Sequence, residues 1–321
     1  MSKTKTHFVV LGMGAVGGFY GLRLAKYLQE KPDVYRLSFI ARGKTLEALR
    51  EGATLIDGDE EIKISNLNCF EDFSEIGFET DEQVVVLLCV KSKDTLEACQ
   101  SLLGDPNVAS LLRMAVVSIQ NGVENEERIA SVLGKERTIG ALTNIAAEVL
   151  EPGRYINKGK YSLVLGELDG SSSERLDRIM ELLRAAGINT RISENIYQEL
   201  WSKLVWNAGF NPTSVLYQMT VGQLLEKPEI REVIVGVMQE VKQVAHALGY
   251  DLADDVDQKH IARTDTPEWY SFRTSMLQDH QKGKEIELDD LLGVVLRKGK
   301  ELGLKTPCSS NVYMLLREML Q

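Results

Sequence analysis

Three glycines at fixed spacing, set between an apolar run and a helical one, constrain this chain more than any other feature. In "HFVVLGMGAVGGFYG", Gly12, Gly14 and Gly17 fall in GxGxxG spacing directly after a strand-like segment. Gly12 permits a tight turn, Gly14 lets backbone approach a pyrophosphate, and Gly17 allows close packing of the following helix. The helix start, with Met13, Ala15 and Val16 around the glycines, offers unpaired N–H groups to an anion. A tight strand-to-helix turn without a ligand is the alternative reading of the same spacing.

The segments that follow keep alternating between strand and helix. "HFVVLG", "RLSFIA", "EQVVVLLCV", "MAVVSIQ", "RTIGAL" and "YSLVLGE" read as strands, several apolar almost throughout, as strands buried on both faces should be. "VGGFYGLRLAKYLQ" and "KDTLEACQSLL" have helical spacing, and "GATLIDGDEEIKISN" reads as a hairpin turning near Asp57-Gly58. From about residue 194 helical patterns take over: "SENIYQELWSKLVWNAGFN", "PEIREVIVGVMQEVKQVAHALG", "EWYSFRTSMLQDHQKG" and "IELDDLLGVVLRKGKELG", with Gly249 and Gly303 placed as terminators. The expected fold class is α/β: a Rossmann-type parallel-sheet domain over residues 1–193 and an all-α domain over residues 194–321. An apolar helix face serves core and subunit interface alike, so a homodimer is compatible with the helical half without being required by it.

Charge and cysteine usage narrow the function. The 321 residues carry 37 Lys and Arg against 47 Asp and Glu, a net charge of −10 that argues against a nucleic-acid backbone binder. Cys69, Cys89, Cys99 and Cys308 show no CxxC spacing and no histidine partners, so neither a metal site nor a disulfide scaffold is expected, and a reducing cytoplasm fits. The polar lead "MSKTKT" runs into an apolar stretch too short for a signal-peptide core or a membrane span, and no later segment reaches spanning length.

Cofactor choice is read at the end of the second strand, where an acidic side chain would accept from an NAD ribose. Here "RLSFIARGKT" offers Arg42, with Lys44 behind it, and a guanidinium pairs with a 2′-phosphate, which favours NADP. A solvated loop arginine is the alternative. Lys91 follows the third strand and Asn121-Gly122 another, both at the edge where open α/β sheets bind ligands, although Asn-Gly is also a common turn pair. In "KLVWNAGFNP", Lys203, Asn207 and Asn211 recur every four residues and form one polar stripe on a helix otherwise rich in apolar side chains. The stripe faces water, a structural hydrogen-bond network near Pro212, or a polar ligand.

Taken together, "GMGAVGG", Arg42, "VKSKD", "QNGVENEE", "ELWSKLVWNAGFNPTSVL", "SMLQD" and Glu287 make the chain resemble the ketopantoate reductases across essentially its full length. The resemblance implies NADPH-dependent reduction of ketopantoate, a small 2-keto acid, to pantoate for pantothenate and coenzyme A synthesis. It implies Lys203 as general acid and Glu287 as the acidic residue that orients substrate and supports it. Asn207, Asn211 and Ser275 become substrate-binding groups, Arg42 the 2′-phosphate ligand, and Lys91 and Asn121 neighbours of nicotinamide and substrate. Small-residue packing around Ala146 and Ala147 would accommodate the cofactor. Two features depart from simple expectation. Ser275 and Glu287 lie twelve residues apart, about 120° off a common face of an unbroken helix, so a break near Gly283 is needed. Phe272 and Arg273 stand where further small polar residues occur in some members, and "TNIAAEVLEPGRYINKGK" matches only loosely. His7, His246, His260 and His280 have no matched role.

Overall fold

A computed structural model describes residues 5–79, 82–104 and 114–321; the first four residues of the polar lead fall outside them. The chain divides into two compact units, Met1–Gln120 with Glu124–Ile196, and Asn121–Val123 with Tyr197–Gln321. Among the described residues no helix is long and apolar enough to cross a membrane.

The strands of the first unit are β1 (Thr6–Leu11), β2 (Tyr35–Ile40), β3 (Ala53–Asp57), β4 (Glu60–Ile64), β5 (Cys69–Phe70), β6 (Gln83–Leu88), β7 (Met114–Ser118), β8 (Thr138–Asn144), β9 (Ala147–Glu151), β10 (Arg154–Asn157), β11 (Ser162–Glu167) and β12 (Thr190–Ile192). The main sheet, among the described residues, runs β12-β11-β8-β7-β6-β1-β2-β5 and is parallel except where β11 meets β8. Its central strands are buried on both faces, which is why they read as apolar without alternation. Phe8 and Val10 of β1 enter one core with Val85 and Leu87 of β6; Val9 and Leu11 enter the opposite core with Val84, Val86 and Leu88. After β1 the chain proceeds outward to β2 and later returns to β6 on the other side, so the strand order reverses between β1 and β6.

A second sheet, β4-β3-β10-β9, covers helix α1 (Ala15–Leu28). The hairpin expected over residues 52–66 is β3 and β4, with Gly58 at φ +61° in the turn. Strands β9 and β10, within the loosely matching "TNIAAEVLEPGRYINKGK", complete this sheet: Tyr155 sits opposite Leu55 of β3. Layers on two sides explain the composition of α1. Its Gly17, Gly18, Phe19, Tyr20, Gly21, Leu22, Leu24, Ala25 and Leu28 are all buried, and Lys26 is its one exposed residue, so apolar side chains extend well beyond a single face. The remaining helices of this unit are α2 (Gly43–Glu51), α3 (Thr95–Gly104), α4 (Asn125–Leu133) and α5 (Glu174–Ala185).

The second unit is helical: α6 (Ile196–Tyr217, entered from the first unit), α7 (Val221–Leu225), α8 (Pro228–Ala247), α9 (Val256–Thr264), α10 (Ser275–Gln281), α11 (Val294–Glu301) and α12 (Pro307–Met319). Gly249 and Gly303 take φ of +91° and +70° just beyond α8 and α11, the left-handed stop expected of them. Buried Glu240 of α8 accepts from the Cys308 and Ser309 amides at 2.8 Å each, satisfying the first turn of α12.

The helix expected over residues 268–283 is a correction: only Ser275–Gln281 is α-helical. The carbonyls of Tyr270 and Phe272 instead accept from the Gly222 and Val221 amides at the start of α7, and Thr274 caps α10 through the Leu277 amide. Tertiary pairing of the backbone thus overrides local helical spacing. Gly283, at φ +66°, then turns the chain, and helical structure resumes at Leu288 with a π-helical turn over Asp289–Gly293.

Candidate active site

In the first unit the three glycines of the loop do three different jobs. Gly12 takes φ +95°, and a Cβ there would lie 2.9 Å from the Val90 amide nitrogen, so the loops after β1 and β6 meet at that point. A Cβ on Gly17 would collide with the Gly12 carbonyl. Gly14 is exposed, and a Cβ there would meet nothing within 4 Å. Open space therefore stands over the N-terminus of α1, where first-turn amides lack intrahelical acceptors. Met13 is buried beneath the loop, Ala15 and Val16 are half-buried, and Ala147 begins β9 of the covering sheet.

Arg42 lies two residues past the end of β2 and is the exposed N-cap of α2, with Lys44 as the helix's second residue and no acid in the first turn. Cations at the positive end of a helix leave that end unneutralised and suited to an anion. Nearby Asp72 is held below its ordinary range first by the Ser74 amide and further by the Arg42 charge. Lys91 occupies the N-cap position of the short turn after β6, without a side-chain cap bond. Buried groups that the sequence reading did not single out fix this turn. Gln120 Nε2 donates to the Val90 carbonyl at 2.9 Å and to Thr95 Oγ1 at 2.8 Å, while Thr95 and Ser92 bond to the two ends of the Asn125 amide at 3.1 Å each. The signal for them was present in "VKSKDT" and "QNGVENEE", two polar stretches ending apolar strands.

In the second unit α6 is continuous through Lys203, Asn207, Asn211 and Pro212, so the stripe exists as spaced. Asn207 and Asn211 are 7% and 2% exposed. Lys203 Nζ donates to Asn121 Oδ1 at 3.2 Å, and Asn121 Nδ2 donates to Glu287 Oε2 at 3.4 Å. One amide thus joins the ammonium to the carboxylate, and Gly122, at φ +97°, turns the backbone beside it. Burial pushes Lys203 down to about 8, against the opposing pull of Glu287. The Asn211 Oδ1 atom is buried with no hydrogen-bond partner among the described residues. Ser275 is exposed at the first turn of α10, whereas adjacent Thr274 is buried and shares a 2.6 Å hydrogen bond with Ser214, three residues beyond Asn211. Trp206, Phe210, Trp269 and Phe272 form an aromatic cluster flanking the stripe, with Trp206 Nε1 donating to Thr264. His260 contacts the Ser202 carbonyl and His246 that of Leu252, while buried His7 contacts Ser38 and Glu82; each has a structural partner.

These features coincide with a family match along both halves. The family described as ketopantoate reductase PanE/ApbA matches residues 8–170, and its C-terminal counterpart matches residues 195–320. The chain belongs to the ketopantoate reductase family. A 2-dehydropantoate 2-reductase of Archaeoglobus fulgidus is 29% identical, with 96% of each chain covered. The crystal structure of a ketopantoate reductase from Ralstonia eutropha JMP134 superposes with a TM-score of 0.85 at 28% identity, covering 97% of both chains. A D-mandelate dehydrogenase, solved with NADH and anilino(oxo)acetate, shares the fold at a TM-score of 0.83 and 21% identity, again over 97% of each chain. Within the ketopantoate reductase fold, the candidate proton donor and its two partners come from distant points of the sequence: a loop at residue 121, helix α6, and the segment before the π-helical turn.

Proposed function

We propose that this chain is an NADPH-dependent 2-dehydropantoate 2-reductase, reducing ketopantoate to pantoate for pantothenate and coenzyme A synthesis in the cytoplasm. The observation that carries this reading is the hydrogen-bonded series from Lys203 through Asn121 to Glu287, beside two buried asparagines on α6. Ketone reduction places negative charge on the carbonyl oxygen, so the site needs a proton donor and fixed dipoles aimed at it. Lys203 fits the first need: with its pKa near 8 it is charged at neutral pH yet gives up its proton more readily than an exposed lysine. Asn121 holds the Lys203 ammonium, and the Glu287 carboxylate favours its charged form.

The buried Asn211 acceptor supports a substrate that also bears a hydroxyl. Leaving such an atom without a donor costs about 1–3 kcal/mol, which a ligand O–H would offset. The residues of the first unit fit the nicotinamide dinucleotide. Gly14 leaves room for the pyrophosphate at the start of α1, and Arg42 at the start of α2 supplies a guanidinium for a 2′-phosphate. When bound, the cofactor supplies the hydride.

Steady-state oxidation of NADPH and of NADH by the purified protein, with ketopantoate and a panel of other 2-keto acids, tests this reading. Preferred turnover of ketopantoate with NADPH is expected. Preferred reduction of another bulky 2-keto acid would keep the chemistry but move the substrate, and NADPH binding without turnover on any ketoacid would defeat the enzymatic reading.

A further inference from the structure

Tyr155 is one of the largest fully buried side chains in the first unit, and it lies on β10 of the sheet that covers α1. Two contacts tie it to the glycine loop. Its ring fills the space over Gly18, where any Cβ would collide with it, so the second glycine of the Gly17-Gly18 pair is needed for this ring. Its hydroxyl donates to the Met13 carbonyl at 3.2 Å. Burial pushes the phenol above its ordinary value, which keeps the hydroxyl protonated.

The Met13 carbonyl and the Gly14 N–H belong to one planar trans peptide and point in opposite directions. Anchoring the carbonyl inward on Tyr155 therefore turns the Gly14 amide outward, at an exposed residue where a Cβ would meet nothing within 4 Å. Glycine allows that peptide plane to rotate at little steric cost, so a loop built on Gly14 gains most from an external anchor. We propose that Tyr155 is a positioning residue for the dinucleotide, acting through the Met13 carbonyl to aim the Gly14 amide at the pyrophosphate. This rests on the cofactor reading above and adds a residue outside the glycine motif.

The test is Tyr155→Phe, which keeps the ring and removes the hydroxyl. Calorimetric titration should show NADPH binding weakened about fivefold, the equivalent of about 1 kcal/mol for one lost hydrogen bond. Adenosine 2′-phosphate, which keeps the anion for Arg42 but lacks the pyrophosphate, should bind within about twofold of wild type. Unchanged NADPH affinity, or equal weakening of both ligands, overturns the inference. A second measurement needs no Tyr155 variant. In wild-type protein labelled with 15N-glycine, the Gly14 resonance, assigned by its loss in Gly14→Ala, should shift with NADPH and stay in place with adenosine 2′-phosphate. A Gly14 amide that ignores NADPH overturns the inference even when the cofactor binds. A wild-type protein that binds no NADPH defeats the cofactor reading and this inference with it.

Discussion

Replacing Glu287 by glutamine removes one charge while keeping an oxygen for the Asn121 amide to donate to, so it isolates the electrostatic part of the Lys203 environment. Bonds of 3.2 and 3.4 Å on either side of one side-chain amide set the ammonium and carboxylate farther apart than a direct ion pair. At an effective dielectric constant of about 20, unit charges about 7 Å apart attract by about 2 kcal/mol. Both side chains are half-buried, so solvent screens part of this, leaving about one pKa unit. The sign follows from the chemistry. Glu287 holds Lys203 up, and with Lys203 as the proposed proton donor the rate of reduction falls as pH rises through the lysine pKa.

In the wild-type protein kcat/KM for ketoacid reduction should fall above about pH 8, and in Glu287→Gln the same limb should lie near pH 7. The assay is NADPH oxidation from pH 6 to 10 at saturating cofactor and subsaturating ketoacid. A limb that stays in place in Glu287→Gln would refute the coupling through Asn121. A limb that survives in Lys203→Met would remove Lys203 from the proton transfer altogether.

Three further outcomes are expected. Arg42→Ala should raise KM for NADPH by about tenfold or more, the loss of a charge-assisted pair, and leave NADH within about twofold; equal effects on both cofactors would remove the phosphate role. Gly14→Ala should weaken NADPH about tenfold with a stability change of about 1 kcal/mol or less, while Gly17→Ala, whose Cβ meets the Gly12 carbonyl, should lose about 1–3 kcal/mol or more of stability. Equal thermal shifts in the two variants would contradict the division of labour among the glycines. Asn211→Leu removes a buried acceptor without a partner, so the melting temperature should hold or rise by a few degrees while ketoacid KM rises about tenfold; a lower melting temperature with unchanged KM would make Asn211 structural.

What was legible in the sequence follows from the range of the interactions involved. The central strands, the glycine turn and the α6 stripe depend on periodicity and on residues a few places apart, and each appears where its spacing puts it. The role of α1 as a buried layer was half legible. "AVGGFYG" signalled close packing, but the partner at Gly18 is Tyr155, more than a hundred residues later, in a segment whose short strands carry little alternation. The helix expected over residues 268–283 is broken over 268–274 for the same reason, since the bonds that decide it run to the start of α7.

Asn121 shows why a site is harder to read than a fold. At the end of an apolar strand it looks like part of the nucleotide-binding edge, and Asn-Gly alone looks like a turn. Both descriptions are local, and they miss what its amide does. An amide is a donor at one end and an acceptor at the other, so one asparagine satisfies a lysine and a carboxylate together, which neither a serine nor an aspartate does as well. Lys203 at 3.2 Å and Glu287 at 3.4 Å use the two ends in that way, and the three residues are separated by 82 and 84 positions in the chain. The stripe on α6 could be found from its period of four, but its meaning depends on a residue whose only sequence signal is a common turn pair.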